Sequence, residues 1–401
     1  MTYLEKYTAQ NNLILEKKIS DIVSLMTREI ITRFHPKSII LSGSFGKGEI
    51  TVNECNGCLQ FLSDCEVIII PNLFLFNQHK IKQFSDEFYN TTGLKVGISG
   101  ILLSIYVQHP FLCKNLKPTM ANYDLKWGSK VIYGKNYLDT IPNFNQNEIP
   151  LWEGLRLLFN RMAEALQYFS REKPSDEMVF WTDKIIIACQ DALLLSLGKY
   201  HYSFGKRNKM FQHLFPRHFI ELNKNLPTFL EISKQATERK LYGTRNDDDP
   251  IGYWFDAAEI CDAVFRFVIE KDMGITFNTY LEYHDKYMMY QNAKLHSGFL
   301  SGPIRQNLRS IVKMWIFGYE LPIVKLMQRI MTPWRHAVYS MIPLVYFSLS
   351  KGEEIDYDML EKIKNNMILF NQSNDHVQKS TEAEWVHFKK QMLDLWHIIC
   401  Y

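Results

Sequence analysis

Short extended apolar runs occupy the first third of the chain and give way, near residue 150, to apolar residues at helical spacing that continue almost to the last residue. No single layer accommodates both patterns. In the first part, Ser38 to Leu41, Val67 to Ile70, Leu94 to Val107 and Lys130 to Tyr133 read as strands, the last ending at Gly134. Residues 10 to 34 form an amphipathic helix through Ile14, Ile19, Ile22, Val23, Leu25, Met26, Ile30 and Ile31, and residues 75 to 92 form another. A turn-rich stretch from Asp139 to Pro150, holding Pro142 and three asparagines, marks a boundary. Beyond it, Leu151, Leu155, Leu158, Phe159, Met162, Leu166 and Phe169 define a long helix. A second runs from Met178 to Leu197 and closes at Gly198, with further helices over 253–271, 304–330, 334–349 and 357–371. The expectation is an α+β chain: a mixed sheet with flanking helices over 1–140, then an all-α helical bundle over 151–401 with a further division near 240–250.

The chemistry concentrates in residues 41 to 71, LSGSFGKGEITVNECNGCLQFLSDCEVIIIP. Successive strand side chains alternate faces, so Asp64 and Glu66 share one face while Cys65 and Val67 share the other. Two hard oxygen ligands close together suit Mg²⁺ or Mn²⁺. Upstream, Gly43 lets the backbone turn tightly, and the amides around Gly43 and Ser44 can hold a phosphate oxygen.

A Gly-Ser pair after one strand and Asp-x-Glu on the next resembles the nucleotidyltransferase superfamily of DNA polymerase β-like folds. The resemblance implies that Asp64 and Glu66 bind the metals that carry a nucleoside triphosphate, and that Gly43 and Ser44 contact its phosphates. The expected reaction moves a nucleoside monophosphate from the triphosphate, ATP being the first candidate, to an acceptor hydroxyl with loss of pyrophosphate. The acceptor is a small molecule, a protein side chain or an RNA end; no motif chooses among them.

One departure from that pattern is pronounced. Many members of the superfamily carry a third acid on a later strand, yet no Asp or Glu occurs between Glu87 and Asp124, and Gly97 or Ser99 takes the expected place. Either two carboxylates suffice, or Glu49 or Asp124 substitutes, or the domain binds nucleotide without turning it over. The insert from Phe45 to Ser63 has its own explanation, because Asn56-Gly57 predicts a tight hairpin between residues 50–55 and 58–62. That makes Cys55 and Cys58 flanks of a turn; His109 and Cys113 form an untidy second pair for zinc.

A second cluster follows the Met178 helix. Gly198 to Lys209, GKYHYSFGKRNK, lies inside a window free of acids from Ala192 to Ile220. With the preceding helix it is similar to the helical domain that accompanies aminoglycoside-type and minimal nucleotidyltransferases, where a helix lysine and residues past the next turn touch the triphosphate. That similarity implies Lys184 as a phosphate ligand, with Lys206 and Arg207 next and Tyr200 or Tyr202 stacked on the base. Arg207 and His213, six residues apart, also resemble the motif of HEPN ribonucleases, which would cleave RNA without metal. Asp247 to Asp249 before Pro250 reads as a solvated turn.

Charge restrains the choice of partners. A formal net charge of +3 over 401 residues is too small to imply an obligate nucleic-acid partner. Seven cysteines without a disulfide framework suit a reducing compartment. The start lacks a secretory pattern and the longest apolar run, His336 to Ser350, carries Pro343 and is too short for a bilayer, so a cytoplasmic protein is expected.

Overall fold

In the computed structural model, which describes residues 6–55, 58–71, 78–99, 116–244, 249–297, 334–349, 355–367 and 381–400, the first strands assemble as their alternation predicts. Helix α1 (Leu13–Phe34) starts at Asn12, whose side chain accepts from the amides of Ile14 and Leu15, and buries Ile19, Val23, Met26 and Ile30. Strands β1 (Ser38–Leu41), β4 (Cys65–Ile70), β5 (Val96–Ser99) and β6 (Lys130–Gly134) form a sheet in the order β5-β4-β1-β6. Strands β4 and β5 run parallel; β1 is antiparallel to both β4 and β6.

The two sheet faces bury different sets of residues. Ile39, Leu41, Cys65, Val67 and Ile69 pack with α1 and with Phe84 and Phe88 of α3 (Gln78–Thr92). Ile40 and Ile70 pack on the opposite side with Tyr123 of α4 (Met120–Gly128), Leu138, Leu195 and Tyr200. Glu66 belongs to this second face but lies at the open end of β4, where it is exposed. A register slip of one residue would carry Glu66 to the face that packs on α1, where a carboxylate has no water, so the position of Glu66 is secured by the core behind it.

Between α2 (Gly43–Lys47) and β4 stands the expected hairpin, β2 (Val52–Cys55) and β3 (Cys58–Phe61), with Cys55 opposite Cys58. Asn56 and Gly57 themselves lie outside the described residues, as do 100–115, which include His109, Cys113 and most of the extended run predicted over Leu94 to Val107. The run predicted helical over 304–330 also lies outside them.

Contacts divide the chain into two units, and the division is not a single cut near residue 150. The first unit is 1–153 with 193–246; the second is 154–192 with 247–401. Helices α5 (Trp152–Tyr168) and α6 (Asp176–Ser196) carry the chain out of the first unit and back to it. The returning segment adds α7 (Phe204–His218), α8 (Ile220–Asn225) and α9 (Phe229–Tyr242). Its attachment is chemical as well as apolar: the buried Glu49 carboxylate accepts from Ser203 Oγ at 2.7 Å and from the amides of Phe204 at 2.8 Å and Gly205 at 3.1 Å, so it caps the start of α7.

All the described elements of the second unit are helical. It continues with α10 (Pro250–Met273), α11 (Tyr280–Ser297), α12 (Trp334–Phe347), α13 (Tyr357–Met367) and α14 (Thr381–Ile399). Helix α12 is apolar and buried over most of its length, Arg335 and His336 in its first turn being partly exposed, which makes it the centre of a bundle rather than a surface helix. Aromatic rings fill that core: Phe159 stacks on Tyr339 at 4.8 Å, and Trp254 meets Phe169 at 4.4 Å and Tyr346 at 4.8 Å. No helix among the described residues is long and apolar enough to cross a membrane.

Candidate functional site

The Gly-Ser turn and Glu66, one of the paired acids, meet in the first unit. Gly43 opens α2 with φ +57°, and a methyl group on it would stand 2.8 Å from the Glu66 carboxylate carbon and from Oε2. Only a residue without a side chain allows that approach. The Ser42 amide donates to the Glu66 carbonyl at 2.9 Å, and Ser42 makes no side-chain cap bond. The leading amides of α2, around Gly43 and Ser44, therefore sit beside the carboxylate without an intrahelical partner. Gly46 seats the helix, since a Cβ there would come within 2.5 Å of the Gly128 carbonyl and 2.6 Å of the Leu41 carbonyl.

Asp64 and Glu66 are both exposed while Cys65 between them is buried. Asp64 takes no hydrogen bond or ion pair from another described residue. In the parallel pairing with β5, Glu66 lies opposite Gly97 and Ile68 opposite Ser99, and no described atom comes within 4 Å of where a Cβ on Gly97 would stand. The two acids proposed as substitutes are committed elsewhere. Glu49 caps α7, and Asp124 accepts from Lys47 Nζ at 2.6 Å and from the Tyr200 hydroxyl at 3.0 Å.

The basic window sorts differently from its sequence. Arg207, expected to touch phosphate, is buried: its Nη1 donates to the Tyr200 hydroxyl at 2.7 Å and to the His201 carbonyl at 3.0 Å. Tyr200 is buried too, so its ring has no exposed face to stack on a base. Tyr202 is half-buried, packed against Gly128 and the His201 ring. Lys206 is exposed in the first turn of α7. Lys184 belongs to the second unit, where its ammonium lies 3.7 Å from the Trp181 ring centre. The ribonuclease pair does not converge, because Arg207 is buried while His213, on the same helix, is exposed. Asp249 caps α10 by accepting from the Gly252 amide at 2.8 Å, the ordinary role of a turn acid.

Sequence reasoning missed Lys240, in the last turn of α9. Its ammonium faces Ser63 Oγ at 3.2 Å and Thr51 Oγ1 at 3.5 Å, at the base of the hairpin, and the Thr51 hydroxyl in turn donates to the Lys240 carbonyl. Gly243 docks the end of α9 on the same hairpin, where a Cβ would be 2.6 Å from Asn53 Oδ1. Burial lowers the Lys240 pKa to about 8, against the opposing pull of Asp64. No signal in the sequence singles this lysine out, since it stands in an ordinary amphipathic helix and gains its setting from contacts with residues nearly two hundred positions earlier.

That setting has a measurable cost in the free protein. A folded pKa of about 8 lies below the ~10.4 of an unfolded lysine, so the unfolded state binds more protons between those values and stability rises with pH there. Lys240→Met, which removes the desolvated charge, is expected to stabilise the protein by about 1 kcal/mol at pH 7. The advantage should shrink from pH 8 to pH 10 as the wild-type ammonium deprotonates. Denaturant unfolding at pH 7, 8.5 and 10 measures this; a difference that does not change with pH would show that the ammonium is solvated.

Among the described residues no group of three or more His, Cys, Asp or Glu side chains is placed to hold a metal ion; His109 and Cys113, the second pair considered for zinc with Cys55 and Cys58, lie outside them. Two carboxylates remain an adequate protein contribution for Mg²⁺, which keeps several waters and completes its shell with substrate phosphates. No protein-family model, curated protein or solved structure matches this chain.

Proposed function

We propose that the first unit is a metal-dependent nucleotidyltransferase. The observation that carries this reading is the contact of the Glu66 carboxylate with Gly43, which sets one of two exposed acids against the leading amides of α2. Asp64 and Glu66 would hold Mg²⁺ or Mn²⁺, and Gly43 and Ser44 would orient the triphosphate through backbone amides. A divalent cation held there neutralises phosphate charge and polarises the phosphorus under attack. Every other contribution is positional: α2 is fixed by Gly46, the acids are fixed by the core side of β4, and an acceptor hydroxyl is directed at the α-phosphate as pyrophosphate leaves. Arg207 and Tyr200, both buried, serve the frame rather than the ligand.

Gly97 opposite Glu66 favours a second reading, a nucleotide-binding protein without turnover, since among the described residues no third carboxylate is placed beside Asp64 and Glu66 to assist deprotonation of an acceptor. Incubation with α-phosphate-labelled triphosphates, Mg²⁺ and a panel of hydroxyl acceptors separates the two. Transfer is expected to yield labelled product and pyrophosphate in wild type and neither in Asp64→Ala. Activity that survives Asp64→Ala overturns the assignment; metal-dependent binding without product across the panel supports the second reading.

A further inference from the structure

Three cations surround the half-buried ring of Phe204: Arg207 at 4.4 Å, Lys47 at 4.8 Å and Lys240 at 5.7 Å. Their partners differ. Lys47 is ion-paired to Asp124, and Arg207 donates to Tyr200 and to the His201 carbonyl. Lys240 has two neutral hydroxyl oxygens, Ser63 Oγ at 3.2 Å and Thr51 Oγ1 at 3.5 Å, and, among the described residues, no carboxylate within ion-pair distance. Ser63, one of those hydroxyls, immediately precedes Asp64 in the chain.

A cation and an acid that feel one another, yet are not paired, form an unusual combination in a folded protein. The charges acting on the Lys240 ammonium are Asp64, Lys47, Glu49 and Glu66, with Asp64 foremost. Glu49 and Lys47 are already used by α7 and Asp124. Of the described charges that act on Lys240, Asp64 and Glu66 therefore lack a strong partner, as does Lys240 itself. An ammonium kept partly out of water is stabilised by an anion that reaches it, and its three donors exceed the acceptors present.

We propose that Lys240 is an anion-binding residue of this site, its ammonium taking a phosphate oxygen of the nucleotide whose metal Asp64 and Glu66 hold. The inference rests on the nucleotidyltransferase reading and adds a ligand that lies outside the acid-free window. It also assigns a role to the inserted hairpin, which holds α9 through Thr51, Asn53 and Ser63 and so places Lys240.

Calorimetric titration of the full chain with Mg²⁺ and the α,β-methylene analogues of the four common triphosphates tests it. Wild type is expected to bind at least one analogue, Asp64→Asn to lose that binding, and Lys240→Met to bind about tenfold or more weakly while melting no lower than wild type. A residue of purely structural importance would lose stability instead. Should Lys240→Met not fold, Lys240→Gln, which keeps a donor but no charge, replaces it with the same expectation. Binding that needs Asp64 but is unchanged in either Lys240 variant overturns this inference and leaves the nucleotide site standing. Failure of wild type to bind any analogue overturns both.

Discussion

Gly43→Ala is expected to lower the proposed nucleotide transfer by about 100-fold while costing only about 1–2 kcal/mol of stability. The two effects separate because of what the new methyl group would meet. Its nearest neighbours are the carboxylate atoms of Glu66, at 2.8 Å, and these form the free end of a flexible exposed side chain. Glu66 can swing away with little loss of packing, so the stability penalty is chiefly that of an alanine at φ +57°. The swing removes one of two acids from its position beside the α2 amides, and displacement of a positioning group by about an ångström is enough for a loss of that size. Thermal unfolding together with labelled transfer measures both quantities; near-normal transfer in a folded Gly43→Ala protein would show that the contact between Gly43 and Glu66 has no functional meaning.

Arg207→Met is expected to act in the opposite sense, lowering stability by about 2–4 kcal/mol. Arg207 lies at one end of a buried chain of polar contacts: its guanidinium donates to the Tyr200 hydroxyl, which donates to Asp124, which is paired with Lys47. Methionine fills much of the volume but leaves the His201 carbonyl and the Tyr200 oxygen without their donor. Unsatisfied buried acceptors cost about 1–3 kcal/mol each, and removal of a buried cation from a charged network adds to this. Tyr200→Phe, which spares the guanidinium contact to the His201 carbonyl, should cost less. Urea denaturation distinguishes the cases, and a change below about 0.5 kcal/mol in Arg207→Met would mean that the network is solvated.

These two positions illustrate what could be read from the sequence. The setting of Glu66 follows from local rules: period-2 alternation puts Cys65, Val67 and Ile69 in the core and Glu66 outside, and the Asn56-Gly57 signal gives the register of Cys55 opposite Cys58. Helix α1 follows equally from its apolar spacing and from Asn12. Arg207 is different. A window rich in lysine and arginine and free of acids looks solvated or phosphate-binding, and nothing nearby announces that its acidic partners come from residues 49 and 124. The return of residues 193–246 to the first unit is equally silent, since contacts between Glu49 and the start of α7 join segments far apart in the chain. Local pattern reports periodicity and turn chemistry; it carries no record of which distant segment completes a buried charge.

The cap that Glu49 places on α7 has a consequence for how the protein is made. Ser203, its first partner, follows it by 154 residues. At about 5–20 residues per second, synthesis leaves Glu49 waiting roughly 8–30 s for the groups that satisfy it. The early strands can collapse on α1 in that interval, but the carboxylate must stay in water, and with it the edge of the first unit. A nascent chain of this protein therefore carries an open, charged seam until most of its first 246 residues have left the ribosome, and that seam is where a chaperone or a protease would find it.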